Sequence, residues 1–230
     1  MNVRVVAPPL LPHELNTDPL VTQRLLGPYI LISFNPKLED QSFWRVPDMD
    51  RKKVEVPLDR ALRVGPPTSV VLATSITTED RPNIVTLGMY MPISSSPPLV
   101  AIGVSPRRYS HGLISEAGEF VVNVPTKEIV KEVIHCGSVS GREHDKFEET
   151  GLTPIPASLV KPPMIKECVS NIECRVAASY TCGDHTLFLG EVVSGHVEEG
   201  LLKETLDILT AQTISHKGPY YFAPKLIYKV

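Results

Sequence analysis

The sequence predicts a mainly β chain: an antiparallel barrel with helices packed at its ends. Three observations carry that expectation. Short apolar runs rich in β-forming residues recur between turn signals. Only two modest helical patterns interrupt them, without the regular strand and helix alternation of a doubly wound sheet. Proline is the third: 22 of 230 residues, about twice the usual ~5%, which argues against long helices.

The first 48 residues hold seven prolines, the apolar patch Tyr29–Ile32 and the single tryptophan, Trp44. They are read as an N-terminal extension of unassigned structure, and residues 49–230 as the domain. In that domain Val54, Glu55 and Val56 alternate like a strand. Pro57 then opens a helical stretch with Leu58, Ala61 and Leu62 on one side.

Residues 69–77, 84–93 and 99–104 read as three strands joined by polar or proline-rich turns, and hence as antiparallel neighbours. The second is apolar on both faces and carries Gly88 in its middle. This marks either a bulge or a place where something approaches the backbone closely.

Ser110 is expected to cap a short helix that Gly118 ends. Residues 119–124 follow as a strand. Thr126 is expected to cap a second helix, with Ile129, Val130, Val133 and Ile134 at helical spacing and Gly137 as its terminator.

Residues 137–151 read as a long polar loop, and Pro154, Pro156, Pro162 and Pro163 keep the chain extended to Ile165. From Ile172 to Tyr180 apolar and polar residues alternate as in a half-buried strand. The turn at 182–185 joins it to residues 186–197 as a hairpin. Residues 201–209 carry a last helical pattern before an aromatic tail.

Composition excludes several functions. With 42% hydrophobic and 21% charged residues the chain can bury a core. A net charge of −3 provides no basic field for nucleic acid or an anionic membrane. No run approaches the ~18 apolar residues of a membrane helix, and Pro8 and Pro9 interrupt any signal-peptide core, so a cytoplasmic location is expected. Cys136, Cys168, Cys174 and Cys182 show no C-x-x-C spacing and are read as free thiols. Cys136 sits at the wrong helix pole for a reactive thiolate.

P-loop, dinucleotide-fold, nucleophile-elbow and zincin motifs are absent. His135, His144, His185 and His196 lack the i, i+3 or i+4 spacing that brings two imidazoles to one metal. Asp184 and His185 make either an acid/base pair or an ordinary turn. The most suggestive stretch is 105–111, where Arg107, Arg108 and Ser110 meet a helix N-terminus. This is an anion site suited to phosphate, or else a solvated basic turn.

Residues 74–125, followed by 136–157 and 165–197, closely resemble the flavin reductase-like (flavoredoxin-like) family, whose most distinctive hairpin is matched by the stretch opening Gly183-Asp184-His185. The resemblance implies an FMN-binding split β-barrel, antiparallel and Greek-key-like. It also implies a homodimer reduced by NADPH, NADH or a protein donor.

Carried over by motif, Thr86, Leu87, Gly88, Met89 and Tyr90 would lie against the isoalloxazine, and Arg108, Tyr109 and Ser110 at the FMN phosphate. Ser140, Arg142 and Lys146 would form the polar loop beside the flavin, with His185 near the ring. The cofactor would carry the hydride chemistry, leaving no catalytic residue to the protein.

The chain departs from the family at Gly88 and Met89, where many relatives have serines, and in the tail 220–230. Residues 1–48 are either an added segment or an overextended reading frame. The resemblance implies an NAD(P)H-dependent reductase that passes electrons to free flavin, a small acceptor or a partner protein. Two alternatives stay open: an FMN-binding electron-transfer or storage protein without its own NAD(P)H turnover, and a scaffold that has lost the cofactor.

Overall fold

The computed structural model describes residues 51–227. The 1–48 extension therefore lies outside the described residues, as do the last three residues of the tail. Residues 54–56 form no strand, because no described strand runs beside them to supply backbone partners. A 3₁₀ segment, Leu58–Val64, follows. Its Leu58 and Leu62 are 91% and 92% exposed, so the expected apolar side meets no cover from the described chain.

Five strands come next: β1 (Thr68–Ser69), β2 (Val71–Ile76), β3 (Pro82–Leu87), β4 (Tyr90–Ser95) and β5 (Pro98–Val104). The single strand expected over 84–93 is thus two, broken at Gly88 and Met89. The reason is pairing: β3 runs beside β2, whereas β4 runs beside β5.

The helix α1 (Tyr109–Ala117) then leads into β6 (Glu119–Val124). Gly118, at φ 65°, ends α1 in the left-handed conformation expected of it. Ser110 is not the cap. Arg108 holds that position, and Ser110 is buried one residue inside the helix, its hydroxyl accepting from Asn83.

A 3₁₀ turn, Lys127–Ile129, precedes α2 (Val130–Ser138). Gly137 lies within α2 and does not terminate it; a side chain there would crowd Thr86 of β3. The polar loop contains α3 (Lys146–Thr150), started by Asp145, whose carboxylate accepts from the amides of Phe147 and Glu148.

The remaining elements are β7 (Pro154–Ile155), β8 (Met164–Ile165), β9 (Ser170–Cys182), β10 (His185–Val197), α4 (Ile208–Ala211), β11 (Ser215–Lys217) and β12 (Tyr220–Phe222). The hairpin is β9 and β10, with Gly183 at φ 63° in its turn. The helical pattern over 201–209 shortens to α4, because helix begins only where the Asp207 side chain accepts from Thr210.

Seven strands form one antiparallel sheet in the order β3-β2-β6-β9-β10-β5-β4. Its two edges, β3 and β4, are joined by only two residues, so the sheet must curl until the edges meet at that break. Side chains alternate accordingly. Val71, Ala73, Val85, Leu87, Ile102, Phe120 and Phe188 fill the barrel. Leu72 and Ile84 face outward, under Val133 and Cys136 of α2 and Phe147 of α3.

A second sheet, β1-β11-β12, brings the tail alongside. Cys136, Cys168 and Cys174 are buried free thiols, and Cys182 is exposed. No helix among the described residues is long and apolar enough to cross a membrane.

Candidate functional site

A cavity of about 80 Å³ opens where α1 begins, lined by Arg107, Arg108, Tyr109, Ser110, Cys136, Ser140, Gly141 and Lys146 among others. The approach is set by a turn in which the Arg108 amide donates to the Ser105 carbonyl. Beyond it, α1 presents its N-terminal amides.

Lys146 is buried, and its ammonium donates to the carbonyls of Ile84 (2.8 Å) and Cys136 (2.6 Å). Burial, and then the nearby Arg108 charge, hold Lys146 below the ordinary lysine range. Among the described residues Arg107, Arg108 and Lys146 are paired with no carboxylate. Three cations around one small cavity, none in an ion pair among the described residues, form a setting that can receive an anion. Burial pushes the Cys136 thiol up to about 11, which keeps it in the protonated, weakly nucleophilic form near neutral pH.

Asn83 was invisible in the sequence as a site residue. Its side-chain amide donates to the Ser110 hydroxyl oxygen at 2.7 Å. That bond occupies an acceptor position on Ser110 and leaves the hydroxyl proton free to donate elsewhere. The other end of the amide, Asn83 Oδ1, is buried without a hydrogen-bond partner. Gly141 lies against it, so close that any side chain at 141 would overlap that oxygen.

A neighbouring polar cavity of about 260 Å³ shares Tyr109 and Gly141 and adds Asn83 and Arg142. The Arg142 guanidinium lies 5.2 Å from the Tyr109 ring centroid, within cation–π range.

A third cavity, about 420 Å³ and mostly apolar, lies at the break between β3 and β4. Gly88, Met89, Tyr90, Met91, Gly103, Cys182, Asp184, His185 and Leu187 line it together with Thr68 and Ala101. His185 holds Asp184 at 2.8 Å through Nδ1. That bond keeps the Asp184 carboxyl below its usual range and fixes the imidazole orientation. Such a chamber suits a flat aromatic ring.

The close approach expected at Gly88 is made by His216 of β11, whose ring occupies the space a side chain at 88 would take. Sequence spacing held no sign of this contact, which spans 128 residues (216 − 88).

The residues singled out by sequence therefore fall into two groups. Arg108, Tyr109, Ser110, Ser140 and Lys146 surround the anion cavity, with Arg142 in the adjoining one. Gly88, Met89, Tyr90 and His185 surround the apolar one. Thr86 and Leu87 line none of the three. The Thr86 hydroxyl donates to the Val133 carbonyl of α2 at 2.6 Å, and Leu87 is part of the barrel core. His111 of α1 bridges the two groups, its Nε2 lying 2.8 Å from the hydroxyl of Thr186, the neighbour of His185.

Comparison with known proteins gives the following. Residues 65–222 match the model of the Flavin reductase like domain. The chain is 46% identical over 121 residues to an uncharacterized protein of Archaeoglobus fulgidus, covering 53% of this chain and 67% of that one. It is 29% identical over 154 residues to the NADH-dependent FMN reductase AsuE2 of Streptomyces nodosus subsp. asukaensis, covering 67% and 77%. Among solved structures it is similar to the flavoredoxin of Desulfovibrio vulgaris (Miyazaki F), with a TM-score of 0.70, 26% identity and coverage of 78% of this chain and 96% of that one. The chain spans about two thirds or less of the length of several curated relatives it matches.

Proposed function

We propose, from the premise that this chain belongs to the flavin reductase-like family, that it binds FMN and works as an NAD(P)H-dependent oxidoreductase, passing electrons to free flavin, a small acceptor or a partner protein. The observation that carries this reading is the set of three cations around the small cavity at the start of α1, none of them in an ion pair with a carboxylate among the described residues.

Arg107 and Arg108 would hold the phosphate by charge-assisted hydrogen bonds, joined by the Ser110 hydroxyl and the α1 amides. Lys146 supplies charge from behind, its stem buried and its ammonium anchored on two carbonyls. Asn83 orients Ser110 through its side-chain amide. At the other cavity Gly88, Met89, Gly103 and Leu187 provide a dry wall for the ring, with His185 at its margin. FMN, when bound, supplies the hydride and electron chemistry, and the protein's part is to bind it, orient it and keep water from the ring. NADH as donor has the support of the AsuE2 likeness. We further assign the working form as a homodimer.

The experiment is an anaerobic spectrum of the protein loaded with FMN, followed by NADH and NADPH in turn. Prompt bleaching of the flavin bands is expected. A flavin that binds but stays oxidised would favour the electron-transfer reading that the flavoredoxin likeness supports. Failure to bind FMN would overturn both.

A further inference from the structure

We propose that Glu149 is a positioning residue for the anion cavity: through His135 and His144 it fixes the wall formed by Val139, Ser140 and Gly141, and so sets affinity for a ligand's phosphate without touching it. The proposal rests on the flavin reading for the identity of the ligand, not for the geometry.

Glu149 lies on α3, and each of its carboxylate oxygens takes one imidazole. His135 of α2 donates from Nε2 to Oε2 at 2.7 Å, and His144 donates from Nδ1 to Oε1 at 2.8 Å. Each histidine is in turn bonded through its backbone to a residue of the cavity wall. The Val139 amide donates to the His135 carbonyl at 3.3 Å, and the His144 amide donates to the Ser140 carbonyl at 3.1 Å. Val139 and Ser140 both line the anion cavity. A displacement of either ring is therefore carried by one backbone hydrogen bond into the wall.

On the inner side the same stretch is pinned once more, by Lys146 on the Cys136 carbonyl. Lys146 follows Cys136 by ten positions, and the fastening at Glu149 closes the outer edge of that loop. An isolated exposed pair would contribute little. Two imidazoles sharing one carboxylate, each tied to a different wall residue, make a network whose value lies in the geometry it holds. The three side chains are only part-exposed, at 39%, 37% and 35%, so removing the carboxylate leaves the barrel core untouched.

The test compares FMN with riboflavin, which has the same ring and no phosphate, by fluorescence titration of wild type and Glu149→Ala. Expected is a rise in the FMN dissociation constant on the order of tenfold, the loss of about one charge-assisted hydrogen bond of positioning, with riboflavin unchanged. The double variant His135→Asn with His144→Asn should reproduce the selectivity. Equal weakening of both flavins, or no change in FMN, would overturn the proposal. Should wild type bind neither flavin, the flavin reading falls. The brace is then tested by calorimetry with inorganic phosphate, where unchanged binding in Glu149→Ala, or no binding by wild type, overturns it.

Discussion

The anion cavity and the apolar cavity sit at two ends of one argument about how a fold makes a site. The first draws Arg107, Arg108 and Ser110 from one turn, and Ser140, Gly141 and Lys146 from a second short segment. The second draws its walls from β1, β4, β5, the β9–β10 hairpin and the break between β3 and β4. One is chemistry concentrated in short stretches of chain. The other is a shape that exists only once the sheet has curled and its edges have met. Substitutions should separate the two: those at the first should affect only ligands bearing a phosphate, and those at the second should affect any ligand bearing the ring.

The largest effect is expected at Lys146. Lys146→Met keeps the buried stem but leaves the carbonyls of Ile84 and Cys136 without a donor. Two unsatisfied buried acceptors should cost about 2–4 kcal/mol of stability, read from urea denaturation, and FMN affinity should fall with it. The wild-type lysine also makes a pH prediction. Phosphate favours the charged ammonium, so its presence raises the lysine pKa from the depressed value that burial and Arg108 impose. Affinity is then fully present below that depressed pKa and is lost as pH rises through it, earlier than for an ordinary lysine. An FMN titration series at rising alkaline pH checks the sign, and the dependence should vanish in Lys146→Met.

Arg108→Ala comes next. Arg108 makes no side-chain cap on α1, so its removal should leave the fold intact and weaken FMN by about 1–3 kcal/mol, the range of a charge-assisted hydrogen bond. Riboflavin should bind as before. Gly103→Ala tests the opposite cavity. A methyl group at 103 would meet Met89 Sδ at 2.9 Å, and Met89 must give way into the chamber. The expected cost is about 1 kcal/mol of affinity, the same for FMN and riboflavin. A variant of either cavity that showed the other's pattern would break the comparison.

The same division explains what could be read from the sequence. The basic turn at the start of α1 was legible because its residues are neighbours and a helix N-terminus has a local signature. The hairpin of β9 and β10 was legible from alternation and its Gly183-Asp184 turn. The break at Gly88 was not, because the run from Ile84 to Ile93 is apolar on both faces with no turn signal inside it, and only the difference in partners, β2 for one half and β5 for the other, divides it. Asn83 and His216 escaped for a related reason. Asn83 reaches Ser110 across 27 residues of chain, and His216 fills the place of a side chain that Gly88 does not have. Family resemblance pointed to Lys146 as a residue beside the flavin, and the structure puts it in the lining of the small cavity at the start of α1. That its ammonium is held by two carbonyls, leaving it an anchored charge rather than a free arm, follows only from packing.

The smallest effect gives the most direct reading of the apolar cavity. Among the four thiols, burial raises Cys136 to about 11, Cys174 to about 12 and Cys168 well above the ordinary thiol range. Cys182 is exposed and lines the apolar cavity beside His185 and Leu187. A chromogenic thiol reagent should therefore modify one cysteine of the native protein, and Cys182→Ser should abolish that reaction without loss of stability, any change in flavin affinity being the same for riboflavin and FMN. Riboflavin and FMN should each slow labelling of Cys182 by a few-fold, because the ring covers the thiol. Inorganic phosphate, expected to fill the anion cavity alone, should not slow it. If phosphate protected Cys182 as well as FMN does, the two cavities would be one coupled site, and the contrast between a charge-built and a shape-built half would fail.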